Sequence, residues 1–220
     1  MAKQRIIETN VGIQEELTTR VFDQFARNMR EKGWNNVDSI LGAGIMSGHV
    51  LEIGPGPGYV GLEWLKRCPD AVLTGCEISP NMIALAVKNA GDYGFSERAS
   101  YVEGNCMDLP FPERSFDAVF SNGSLHEWED PVRAFHEIYR VLKPGGRFCI
   151  TDLRRDVNPL IKRMIYNSTQ PKEIRPGFLS SLNAAYTAEE LRSLLEKSPL
   201  NSGVIHKEFF GLCLAGQKAV

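Results

Sequence analysis

Residues 50–61 read VLEIGPGPGYVG, and two registers of the glycines compete. Gly54-Pro55-Gly56-Pro57-Gly58 is a G-x-G-x-G loop. Gly56-Pro57-Gly58-Tyr59-Val60-Gly61 fits G-x-G-x-x-G, the dinucleotide fingerprint. A pyrophosphate needs a row of backbone N–H donors at a helix N-terminus. Pro55 and Pro57 remove two such donors. Glu52, at the end of the preceding apolar run, would repel a pyrophosphate but attract a ligand bearing an ammonium and a sulfonium. Glycines still permit the close backbone approach that a packed amino-acid moiety needs. These points favour G-x-G-x-G and a sulfonium ligand, with Gly61 as a helix-packing residue. A bare strand-to-helix turn and a dinucleotide seat are the competing readings.

Outward from this loop, strand-like and helix-like segments alternate. HVLEI (49–53) and AVLTGCE (71–77) read as strands. Ser79-Pro80 supplies an N-cap and a first-turn proline for a helix to about Asn89. ASYVEG (99–104) and FDAVFS (116–121) are the next strands. Asp130-Pro131 repeats the cap-then-proline signal, with Phe135, Ile138, Tyr139 and Leu142 on the inner helical face. Lys143-Pro144-Gly145-Gly146 ends that helix, and RFCITDL (147–153) returns to strand. The alternation predicts a parallel, doubly wound α/β sheet. Ligands of such sheets sit at the carboxyl ends of the strands.

The flanks differ. Leu17, Val21, Phe25 and Met29 recur every four residues, with Phe22 beside them, and predict an amphipathic helix over 11–30. Beyond the core, Asn158-Pro159 starts a short helix carrying Leu160, Ile161, Met164 and Ile165. NSTQPKEIRPGFLSSLNAAY (167–186) reads as irregular, the kind of long loop that serves as a lid. Thr187-Ala188-Glu189-Glu190 is a capping box. GVIHKEFF and GLCLAGQKAV should close the chain as an antiparallel hairpin.

The 220 residues suit one domain, 1–220, divided into a helical lid (1–40), a cofactor-binding core (48–153), a substrate-cap insert (154–186) and a terminal helix and hairpin (187–220). Hydrophobic content of 43% and charged content of 24% are ordinary for a soluble globular chain. A net charge of −2 leaves no global footprint for nucleic acid. No signal-like or membrane-length apolar run stands out, so a cytoplasmic location is expected. Five cysteines without a C-x-x-C pair and four histidines without H-E-x-x-H spacing point away from a metal.

VLEIGPGPG, GCEISPNM, VEGNCMDLPFPERSFDAVFS, SLHEWEDP and YRVLKPGGRF resemble, in order and spacing, the motifs of class I S-adenosylmethionine-dependent methyltransferases. Their likeness is to the small-molecule branch that includes the ubiquinone/menaquinone biosynthesis enzymes. The resemblance implies a Rossmann-like seven-stranded sheet of order 3-2-1-4-5-7-6, strand seven antiparallel. It also implies S-adenosylmethionine as cofactor and S-adenosylhomocysteine as product. Gly54, Gly56 and Gly58 would pack under the methionine part, with Glu52 near its ammonium. Glu77, about twenty residues past the loop, would hold the ribose hydroxyls, with Ile78 and Met82 lining the adenine. Asn105 stands where the family usually has Asp, followed by Cys106 and Met107. The Asn105 side-chain oxygen would accept from the adenine amino group and the Cys106 N–H would donate to the ring. Asn122 would lie beside the methyl group.

Methyl transfer needs a base only when the acceptor must lose a proton. His126, after the fourth strand with Glu127 beside it, is the candidate base; its other reading is a residue that orders the loop. Trp128 reads as packing under the following helix. Phe22 and Phe25, together with Arg154, Arg155 and Tyr166 of the insert, are candidate substrate contacts, the basic groups suiting an anionic acceptor unless they form a solvated helix face. The acceptor is expected to be a small molecule with an oxygen, nitrogen, sulfur or carbon nucleophile. Competing functions are an NAD(P)-binding oxidoreductase, a nucleotide-binding regulator, or a nucleic-acid methyltransferase. The last is disfavoured because Ser121-Asn122-Gly123-Ser124 lacks an Asn-Pro-Pro-Tyr grip.

Overall fold

A computed structural model describes residues 4–6 and 16–220. Helices α1 (Glu16–Glu31) and α2 (Val37–Gly42) precede β1 (Gly48–Ile53), α3 (Tyr59–Arg67), β2 (Ala71–Glu77), α4 (Pro80–Asp92), β3 (Ala99–Glu103) and β4 (Phe116–Asn122). A 3-10 turn at Leu125–Glu127 leads to α5 (Pro131–Val141) and β5 (Leu142–Leu153). Then come α6 (Pro159–Ser168), a 3-10 turn at Lys172–Ile174, α7 (Arg175–Ala184), α8 (Ala188–Leu195), β6 (Val204–Lys207) and β7 (Gly211–Gln217). Residues 11–15 of the expected first helix lie outside the described residues.

One seven-stranded sheet has the order β3-β2-β1-β4-β5-β7-β6. The pairs from β3 to β5 are parallel, and β7 runs antiparallel to both β5 and β6. Strand alternation splits the core into two layers. Leu51, Ile53, Val119, Phe148 and Ile150 face α5 and α8 through Phe135, Ile138 and Leu191. Val50, Leu73, Phe120 and Cys149 face α2 and α3 through Ile40, Leu62, Trp64 and Leu65. The alternation Val50-Leu51-Glu52-Ile53 therefore sends Glu52 into the second layer, an acid among apolar neighbours.

The local signals set the helix starts. Ser79 accepts from the Met82 N–H at 3.3 Å, Asp130 from Arg133 at 3.0 Å and Asn158 from Leu160 at 2.9 Å. In the Thr187 capping box, Thr187 and Glu190 exchange bonds in both directions.

Three expectations need correction. The stretch read as irregular forms α7, because Pro176 sits in a first turn, where its missing N–H costs nothing. Phe178 and Leu182, one turn apart, then bury against Val157. The Lys143–Gly146 turn is drawn into β5, with a register break between the pairs of Phe116 and Ala118. Of the four aliphatic residues expected on α6, Ile161 and Ile165 pack inward, whereas Leu160 and Met164 are 78% and 55% exposed.

Candidate functional site

The loop after β1 closes on itself. Gly54 N–H donates to the Cys76 carbonyl at 2.9 Å, Gly58 N–H to Pro55 at 2.9 Å, and Gly56 N–H to Glu77 Oε2 at 3.0 Å. All three glycines hold positive φ, +65°, +52° and +83° in chain order, a region that favours glycine. A side chain at Gly54 would start 2.5 Å from Ser124 Oγ, and one at Gly58 would start 2.8 Å from Tyr101 Oη. At Gly56 the nearest neighbour is Phe22 Cε1 at 3.4 Å. Gly56 is thus the point where the loop faces the N-terminal helix.

Gly61 explains the sixth residue of the rival register. A Cβ there would stand 2.2 Å from Glu52 Oε2 and 2.4 Å from Leu73 Cδ2. Glycine is required for α3 to settle on the sheet, as a helix-packing residue. Its N–H donates to the carboxyl of Glu52, which is 1% exposed and whose Oε2 has no hydrogen-bond partner among the described residues. Burial, with the nearby charge of Glu77, outweighs the Gly61 bond and pushes the Glu52 carboxyl up to about 8. Glu52 therefore lies beneath the loop, under α3.

Glu77, also buried, is placed differently. Its Oε1 accepts from Ile78 and Ser79 N–H at 2.9 and 3.0 Å, and its Oε2 from Gly56. Burial raises its pKa, and these three donors oppose the rise. Glu77 thus staples β2 to the glycine loop and to the start of α4, a tie the sequence did not reveal. Lone-pair capacity remains on Oε2 for a hydroxyl.

Gly104 N–H donates to the Glu77 carbonyl at 3.0 Å, which brings the Asn105 loop beside Glu77. Asn105 Oδ1 accepts from Met107 N–H at 2.9 Å, and Asp108 N–H donates to the Asn105 carbonyl at 2.9 Å. The oxygen expected to meet adenine already serves this turn, with its second lone pair remaining. The Cys106 thiol, pushed up to about 12 by burial and by Cys76 beside it, is no nucleophile. Ile78 is half-buried, and Met82 is buried at 2% exposure.

At the ends of β4 and β5, side chains meet from distant segments. Asn122 Oδ1 accepts from Asn36 Nδ2 at 2.7 Å and from Thr151 Oγ1 at 2.9 Å. His126 Nδ1 lies 2.9 Å from Asp152 Oδ1. Trp128 donates to Ser124 Oγ at 2.9 Å and packs edge-on against Phe135, the packing role expected of it. Asn36 and Asp152 carried no role in the sequence reading. The only signal for Asp152 was its place at a strand end, and Asn36 offered none.

The covering elements touch one another. Phe22 and Phe25 sit 5.9 Å apart on α1, and Asp23 of that helix accepts from Tyr59 Oη at 2.9 Å. Asn28 donates to the Gln170 carbonyl at 3.2 Å, joining α1 to the insert. Arg5 donates to the carbonyls of Ala184 and His126 and lies 4.2 Å over the Tyr186 ring.

The insert residues expected to meet the acceptor have partners of their own. Arg155 is buried and bonded to Glu190 and the Ala185 carbonyl, so it secures the start of α8. Arg154 lies 3.7 Å from Asp156, and its N–H donates to the Phe210 carbonyl. Tyr166 packs in the insert's own small core, 5.4 Å under Arg175. Arg155 and Tyr166 are thus committed to protein contacts, whereas the Arg154 Nε, just past the end of β5, is buried with no hydrogen-bond partner among the described residues.

Residues 51–150 match the model of a methyltransferase domain. Those residues belong to that domain family. The fold agrees: the chain superposes with TM-score 0.75 on a Methanococcus maripaludis structure provisionally described as an S-adenosyl-L-methionine-dependent methyltransferase, at 24% identity and 98% coverage of both chains. In sequence the methyltransferase domain and its flanks are 30% identical to the demethylmenaquinone methyltransferase of Deinococcus radiodurans, over 71% of this chain and 65% of that one. They are 28% identical to the ubiquinone/menaquinone biosynthesis C-methyltransferase of Hahella chejuensis, over 78% and 70%. The chain spans 65% and 54% of the length of the first two demethylmenaquinone relatives it matches. Among the described residues, no helix is long and apolar enough to cross a membrane.

Proposed function

We propose that the chain transfers a methyl group from S-adenosylmethionine to a small aromatic acceptor bearing a hydroxyl, releasing S-adenosylhomocysteine. One observation carries the choice of cofactor: the glycine loop has spent its donors. Gly54, Gly56 and Gly58 N–H groups all have protein partners, Gly61 N–H serves Glu52, and Pro55 and Pro57 have none to give. The loop itself thus offers a pyrophosphate no donor before the first turn of α3. A nucleoside carrying an amino acid finds Glu77 Oε2 for the ribose, the Asn105 loop for the base, and the glycine backbone for the methionine end. The aromatic acceptor draws on the names of the menaquinone-type relatives and on the ring of Phe22 against the loop, with Phe25 beside it.

When bound, S-adenosylmethionine supplies the methyl group on a positively charged sulfur, an already activated leaving group. The protein's work is then alignment and exclusion of water. Phe22 on α1, with Phe25 beside it and the helix held to α3 through Asp23 and Tyr59, shields the glycine loop at Gly56. His126 takes the acceptor's proton. Asn122 lines the space between them.

Incubation with methyl-labelled S-adenosylmethionine and a cell extract tests this reading. Label should enter the low-molecular-mass fraction; label confined to nucleic acid would overturn it.

A further inference from the structure

Helix α6 is apolar on two sides. Its inner residues Ile161, Ile165 and Tyr166 pack against Val157, Phe178 and Leu182. Leu160, Arg163, Met164 and Asn167 recur at the spacing of one helical stripe, and all four are exposed. A helix turned only to water keeps polar residues on such a stripe, yet two of these four are Leu160 and Met164.

Two neighbouring segments add apolar side chains. Phe210, in the β6–β7 turn, joins the same small core as Ile161 and Ile165. Phe209, 6.3 Å from it ring to ring, is 60% exposed. Ile6, 64% exposed, is tied by its N–H to the Asn183 carbonyl at 3.2 Å, and Lys162 of α6 reaches Asn183 Oδ1 at 3.4 Å. Elsewhere, Val72 on β2, Val87 on α4 and Val204 on β6 are exposed singly on separate elements, as surface apolar residues commonly are.

The charge of this face has one sign. α6 carries Lys162 and Arg163 and no acid, and Lys172 follows its C-terminus. None of the three has a carboxylate at ion-pair distance among the described residues. Residues 154–186 as a whole hold six cations and two acids, in a chain whose net charge is −2. Apolar side chains projecting among unpaired cations match an anionic lipid surface. The apolar groups enter the headgroup layer while the cations stay level with the phosphates. A second copy fits poorly, because a two-fold contact through the stripe would set like charges against each other.

We propose that the outer stripe of α6, with Ile6 and Phe209 beside it, docks the protein onto an anionic membrane surface without spanning it.

The test is sedimentation of the full chain with phosphatidylcholine vesicles, with and without about 30% phosphatidylglycerol. The protein should pellet with the anionic vesicles and stay in solution with the neutral ones. Raising salt from about 0.1 to about 0.5 M should weaken the binding, because screening shortens the reach of the cations. Leu160→Gln with Met164→Gln should weaken it about 10-fold or more. Arg163→Glu with Lys172→Glu should do the same, since each cation near the surface contributes about fivefold. These side chains stand in water, so the fold should survive both changes, and Val87→Gln should bind like the wild type. Binding that either pair leaves unchanged overturns the proposal. So does a wild type that stays in solution with anionic vesicles, which would leave an acidic protein surface as the partner. A dimer in sedimentation velocity that Leu160→Gln with Met164→Gln dissociates would also overturn it, by assigning the stripe to a second copy.

Discussion

The strand ends of this sheet are built in two ways. On the β1–β2–β3 side, backbone groups hold the site: the glycine loop, the end of β2 and the start of α4 converge on Glu77 within one strand–helix–strand unit. On the β4–β5 side, side chains reach across the chain. Asn36 to Asn122 spans 86 residues, His126 to Asp152 spans 26, and Arg5 to the His126 carbonyl spans 121. On the proposed function, the difference separates the cofactor's seat from the part that selects a reaction. A backbone cradle is a property of the fold, whereas a side-chain assembly can change with a few substitutions.

If the first half is a backbone-locked seat, Glu77→Ala should be the most damaging change. It strands the N–H groups of Gly56, Ile78 and Ser79, so stability should fall by about 1–3 kcal/mol or more in urea denaturation. Affinity for S-adenosylhomocysteine should fall by a similar amount. A stable variant with wild-type affinity would break the comparison at its stronger side.

Gly61→Ala should cost about 1–3 kcal/mol of stability, since the new methyl group collides with Glu52 and Leu73 in a filled layer. Thermal denaturation at fixed pH measures it, and an unchanged midpoint would show that α3 shifts freely.

Glu52 makes the same seat sensitive to pH. Its carboxyl moves from an ordinary 4.5 to about 8 on folding. Below 4.5 both states keep the proton; between 4.5 and about 8 the unfolded chain releases it while the folded chain retains it. Wild-type stability should therefore decline across that window as pH rises. Glu52→Gln should lack this contribution, so its stability relative to wild type should improve from pH 5 to pH 8. Parallel profiles would place Glu52 in contact with water or a counter-charge.

The smallest effect belongs to the second half. Asn36 sits at φ +52°, a conformation glycine adopts without strain. Asn36→Gly should thus remove only the bond to Asn122, worth about 0.5–1.5 kcal/mol, and leave S-adenosylhomocysteine affinity unaltered. A large affinity loss would tie the two halves together.

The same division explains what could be read from the sequence. Strand alternation, caps at Ser79, Asp130, Asn158 and Thr187, and the order of glycine and acid at two strand ends are local patterns, and they led to the sheet and to Glu77. The inward turn of Glu52 was implicit in the alternation of residues 50–53. α7 was missed because Arg175-Pro176-Gly177 looks like a turn unless the tertiary burial of Phe178 and Leu182 is known. Arg154 and Arg155 resembled an anion site because their partners, Asp156, Glu190 and two carbonyls, are identified only by folding. Asn36 was invisible, and Asp152 was marked only as a strand end, for the same reason.

The central claim is that the strand-end cleft takes a sulfonium nucleoside and not a dinucleotide. Isothermal titration of the full chain with S-adenosylhomocysteine and, separately, with NADH puts it to the test. Saturable one-to-one binding of S-adenosylhomocysteine with no NADH heat is the predicted result. Tight NADH binding with no response to S-adenosylhomocysteine would contradict it.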